Sequence, residues 1–143
     1  MAVPVALIDT NVLVAGLITG DPAAPTARIV DAMFAGAFPF LLSVELLAEY
    51  RDVLLRPRIA HRHRLAEGEV DALLVGVAAN AMVREPATTE RPVPAEDAHV
   101  RDLLATHDAA VLVTGDQALV EAVPRHRVES PAAVAAPRPL MLP

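Results

Sequence analysis

Short apolar runs alternate with helical stripes along this chain. The alternation predicts an α/β domain, with a parallel sheet covered on both faces by helices. The 143 residues are the size of one ordinary domain. Hydrophobic residues make up 54 %, enough for one sizeable core.

The elements follow in order. Val3–Ile8 is nearly continuous, apolar and rich in β-branched residues, as a buried strand is. Thr10–Thr19 is helix or loop, because Gly16 and Gly20 weaken a helix. Pro25 fits a first helical position, and Ala27, Ile29, Val30, Met33 and Phe34 recur at helical spacing up to a stop at Gly36. Phe38–Leu42 reads as a second strand. Ser43 is placed to cap the next helix, whose stripe is Leu46, Leu47, Tyr50, Val53 and Leu54. Pro57 ends it. Glu67–Ala81 repeats the stripe through Val70, Leu73, Leu74 and Val77, and Met82–Arg84 is a short strand. Residues 85–95, with three prolines and no period, form a loop. Glu96–His107 is a helix and Ala110–Val113 a buried strand. A tight Thr114-Gly115-Asp116 turn leads into a short helix, and Arg127–Glu129 is a last strand. Residues 1–131 form the domain, and 132–143 a loosely held, proline-rich tail.

Composition removes several functions. There is no cysteine, hence no disulfide framework, thiolate zinc site or cysteine nucleophile, which suits a reducing cytoplasm. The N-terminal apolar stretch is broken by Pro4 and Asp9 and has no basic lead, so it is a poor signal peptide. No apolar run approaches the ~20 residues of a membrane span. All twelve basic residues are arginine. A phosphate-binding P-loop needs its lysine, so that reading fails. So do phosphate-receiver domains and aspartate-nucleophile phosphatases, which share the strand-then-aspartate start. The net charge of −6 argues against an overall electrostatic grip on nucleic acid. Residues 51–64, RDVLLRPRIAHRHR, are the one concentrated basic patch. Arg56, Arg58, Arg62 and Arg64 either hold a nucleic-acid backbone there, RNA on the resemblance given below, or are solvated cations at a helix end.

Ligands of open α/β sheets bind outside the carboxyl ends of the strands. Asp9 and Asp116 both fall there, though each could be a helix N-cap, as could Thr10 or Asn11. Glu49 has Leu46 three residues before it and Val53 four after, so it borders the buried stripe. It could also pair with Arg56 or Arg58. Glu45 is turned further into solvent. Glu96 and Asp97 open a helix, where acids suit the dipole, and periodicity does not choose between them. Asp102 faces the other, wet side. Carboxylates converging at one sheet edge repel, and burial raises the cost, so a cation is needed. All-oxygen ligands favour Mg²⁺ or Mn²⁺, and such metals suit phosphodiester chemistry. The five histidines, His61, His63, His99, His107 and His126, show no ligand spacing and read as ordinary surface residues.

Four segments in this order, LIDTNVLV, LLSVELLAEYRDVL, PAEDAHVRDLLA and VLVTGDQAL, resemble the PIN domain family, in its branch of VapC-like toxins from toxin–antitoxin pairs. The resemblance runs to about Pro131. It implies a three-layer α/β/α fold with a mostly parallel sheet of about five strands. It also implies a metal-dependent ribonuclease that hydrolyses RNA, leaving a 5′-phosphate and a 3′-hydroxyl. The matching acids, as catalytic and metal-binding residues, are Asp9, Glu49, Asp97 and Asp116. Asn11, Ser43 and Thr114 match supporting polar positions. Implied partners are RNA, a cognate antitoxin protein and, commonly, a second copy of the chain. Two positions depart from the pattern. Ala118 stands where the branch often has another acid, and PVPAED carries fewer aspartates than usual. These departures keep open a second reading, a catalytically weak PIN-like module that binds RNA or protein. A cofactor-binding doubly wound enzyme ranks last, since G-x-G-x-x-G is missing after the first strand.

Overall fold

A computed structural model describes residues 4–86, 95–124 and 127–135, with the side chains of 95–97 and 122 outside that description. The described chain runs β1 (Ala6–Ile8), α1 (Thr10–Ile18), α2 (Pro25–Ala35), β2 (Leu41–Leu42), α3 (Val44–Leu54), α4 (Pro57–His63), α5 (Glu67–Asn80), β3 (Met82–Val83), α6 (Ala95–Leu104), β4 (Val111–Val113), α7 (Gln117–Ala122), β5 (Val128–Glu129) and α8 (Pro131–Val134). This is an α/β fold compatible with three α/β/α layers. No described helix is long and apolar enough to cross a membrane.

The strands form two parallel ladders. β1, β4 and β5 pair in the order β1-β4-β5, and β2 pairs with β3. A single parallel bridge, Ala6 with Phe40, joins the ladders, aided by the Ala6 N–H donating to the Pro39 carbonyl at 3.0 Å. The sheet of about five strands is therefore two ladders meeting at one bridge among the described residues. Expected strand 38–42 keeps only Leu41–Leu42, because Pro39 has no N–H to give a ladder. The ladders laid side by side run β3-β2-β1-β4-β5. The chain moves outward from β1 to β3, then returns past β1 to β4. The switch point lies between β1 and β4, where a ligand crevice opens.

Local chemistry explains where the helices differ from expectation. Residues 10–18 are helical despite Gly16, because that glycine lets α1 and α2 touch. A Cβ there would lie 2.5 Å from the Thr26 carbonyl oxygen. Gly36 stops α2 as expected, in the left-handed region at φ 65°. The Asn80 amide then donates to the freed Met33 and Phe34 carbonyls, at 3.1 and 2.9 Å. Ser43 caps α3, accepting from the Leu46 N–H at 3.0 Å. Pro57 ends α3 and also starts α4, a helix the periodicity does not reveal, since its residues are mostly polar and none is buried. Of the expected tail, residues 136–143 lie outside the description. Residues 132–135 are not loose: Ser130 caps α8, Val134 is fully buried, and Arg28 donates to the Ala135 carbonyl.

Candidate active site

The crevice begins with Asp9. Its N–H donates to the Val113 carbonyl at 3.1 Å, which ties the end of β1 to β4. Its own carbonyl accepts from the Val12 and Leu13 N–H groups and so serves α1. The carboxylate makes no such cap. It accepts instead from the Thr114 hydroxyl at 2.8 Å and stays only 4 % exposed. Burial pushes the Asp9 carboxyl above its ordinary range. The Thr114 hydroxyl and the Thr10 N–H oppose this, and the nearby Glu49 and Asp116 charges add to it. The capping reading of Asp9 therefore applies to its backbone and leaves the side chain to be explained.

Glu49 reaches the crevice from α3. The next residue, fully buried Tyr50, donates its hydroxyl to the Ile8 carbonyl at 2.5 Å and straps α3 to the end of β1. Burial, then the Asp9 and Glu49 charges, hold this phenol above its usual value, so it remains a donor. Glu49 is held at both oxygens. The buried Thr10 hydroxyl donates to Oε2, and the His99 ring lies 3.3 Å from Oε1. His99 is only 12 % exposed, which corrects its reading as a surface residue. It is four residues before buried Leu103 and one before buried Val100. The stripe-border reasoning that selects Glu49 selects His99 equally well. His63 is also engaged: its Nδ1 accepts from the Leu65 N–H at 2.9 Å, so Nε2 carries the proton that meets the Leu54 carbonyl at 2.7 Å.

Asp116 does two things. One oxygen caps α7 by accepting from the Ala118 N–H at 2.9 Å, and the side chain lines the crevice. Thr114 joins the two strand ends, donating to Asp9 and accepting from the Asp116 N–H at 3.0 Å. Exposed Asn11 lines the crevice too. Ser43 does not line it and serves as the α3 cap. Asp97 is in α6, and its side chain lies outside the described residues.

Asp9, Glu49 and Asp116 thus share one cleft of about 640 Å³ with Thr10 and Asn11. Asp52 adds a fourth acid that sequence reading passes over, paired with Arg56 at 3.2 Å. Arg56 also lines an adjoining groove of about 510 Å³ with Arg58 and Arg62. Arg58 and Arg62 lie four apart on α4 and carry no ion pair among the described residues. Arg64 sits apart, at the left-handed C-cap of α4 with φ 59°.

The donor set fits a hard divalent cation. It is all oxygen, and its most buried member is a carboxylate crowded by two others, a repulsion that a cation relieves. Among the described residues, no three acidic or histidine side chains already stand close enough to hold an ion.

Fold and site together define a doubly wound α/β domain with an acidic cleft at its switch point. Comparison places it further. The PIN domain model matches residues 5–118, and the chain belongs to the PIN domain family. PIN domains are generally metal-dependent nucleases. No curated protein matches the chain.

Proposed function

We propose that the chain is an Mg²⁺- or Mn²⁺-dependent endoribonuclease acting in the cytoplasm, the toxin of a toxin–antitoxin pair. The observation that carries this reading is the shared cleft of Asp9, Glu49 and Asp116 at the β1–β4 switch point. Asp9, Glu49, Asp116 and, from the sequence, Asp97 would hold the cation, which supplies charge neutralisation and activates water. Asp9 is fixed for this by its strand end and Thr114, and Glu49 by Thr10 and His99. The Arg56, Arg58 and Arg62 groove takes the flanking phosphates of a single strand that enters the cleft, with Arg56 at the junction. Arg64 is at most an outer contact. A cognate antitoxin would neutralise the site, and a homodimer is compatible with the family.

The second reading, a weak or inactive binding module, has its own support: the described carboxylates do not yet form a closed ion site. One experiment separates the two. A mixed RNA pool is incubated with Mg²⁺, Mn²⁺ or EDTA, using wild type, Asp9→Asn, Asp116→Asn and a double Arg58→Ala, Arg62→Ala variant. The nuclease reading expects metal-dependent cleavage that falls more than about 100-fold in both aspartate variants. It also expects weaker RNA binding and a flatter salt dependence in the arginine variant. RNA binding without cleavage in either metal moves the assignment to the binding module.

A further inference from the structure

Among the described residues, one buried side-chain atom lacks a hydrogen-bond partner: Nδ1 of His99. A neutral imidazole has one donor and one acceptor nitrogen. A proton on Nε2 offers Glu49 Oε1 a donor and leaves Nδ1 as a bare, buried acceptor, which costs free energy. Leucine at this place on α6, beside Val100 and Leu103, would fill similar space without that cost. The imidazole is therefore explained by its Nε2 end.

Glu49 is 31 % exposed and would otherwise rotate freely about its side-chain bonds. Thr10 from α1 grips one oxygen and His99 from α6 faces the other, so two separate elements set the plane of the carboxylate. Each oxygen keeps a second lone pair for the cleft. We infer that His99 is a positioning residue, which orients Glu49 to receive a divalent cation. This rests on the nuclease reading above. Hydrogen-bond partners of metal-binding carboxylates usually matter 10- to 100-fold for affinity or activity, roughly.

The test compares His99→Leu, His99→Gln and His99→Asn with wild type and Asp9→Asn. Mn²⁺ affinity is measured by calorimetry, kcat and KM on RNA, and melting temperature without metal. The Leu variant should bind Mn²⁺ about 10- to 100-fold more weakly and lose kcat, with KM for RNA little changed. Gln, whose amide reaches the Nε2 position, should restore most of both, whereas Asn, whose amide reaches only the Nδ1 position, should not. If the Leu variant does not fold, the Gln and Asn pair carries the same contrast. Wild-type Mn²⁺ affinity in the Leu variant, or equal loss in Gln and Asn, overturns the positioning role while the nuclease reading stands. Wild type that binds no Mn²⁺, with Asp9→Asn no different, overturns both.

Discussion

Helix α3 presents two faces that treat charge in opposite ways. Glu49 and Arg51 are two positions apart, with Tyr50 between them. On one side Glu49 shares a cleft with Asp9 and Asp116, and the cleft's one arginine among the described residues, Arg56, pairs with Asp52 instead. On the other, Arg51 meets Glu67 at 2.6 Å and Asp71 at 2.7 Å, in the open. There Arg51 holds the Asp71 carboxyl below its ordinary range. The chain has the means to neutralise acids and uses it where water would do nearly as well. It withholds them where burial makes an unpaired charge costly. Repulsion tolerated at the strand end and relieved at the surface is the contrast that the proposed cation site would produce.

The largest break in this comparison comes from Asp9→Asn. Asparagine can keep the Thr114 contact while removing the buried charge, so the metal-free protein should melt higher at neutral pH. The folded state holds the Asp9 proton more tightly than the unfolded chain does. Wild-type stability should therefore fall as pH rises from about the ordinary value of 3.8 through the raised folded value. The difference between wild type and variant should vanish below that window and be complete above it. Saturating Mn²⁺ should reverse the order by stabilising wild type alone. Melting curves across pH, with and without the ion, check all three; a variant that melts lower without metal refutes the buried-repulsion account.

A middle-sized effect is expected at the strap between the helix and the strand. Tyr50→Phe removes the donor to the Ile8 carbonyl and should cost about 1–2 kcal/mol in urea unfolding. Cleavage should fall too, because Glu49 rides on that turn of α3. Unfolding at the wild-type midpoint would mean that packing alone sets the helix. The smallest effect belongs to the paired face. Arg51→Gln should leave cleavage intact and shift the melting temperature only slightly, less still in high salt. A large loss there would erase the contrast between the faces.

Much of this was legible in the residues, for identifiable reasons. The β1 and β4 strands are nearly continuous apolar runs, so their ends, and with them Asp9 and Asp116, are easily found. Glu49 follows from its place beside Leu46 and Val53. Features that depend on partners distant in sequence were not legible. The role of His99 needs Glu49 across 50 positions. Thr10 looks like a cap until its hydroxyl meets α3. Helix α4 has no buried stripe to betray it, and α8 is only one turn long. Gly16 weakens a helix by propensity, yet at this site it permits a contact between helices that a larger residue would block.

The strand pairing also sets a schedule. Asp9 and Thr114 meet across 105 positions, and Asp116 follows them. During synthesis the N-terminal segments emerge first, but the cleft has no second wall until β4 has docked on β1. On the nuclease reading proposed above, a growing chain would be inert until that wall is in place. On that reading, the order of assembly would protect the ribosome that is making the chain.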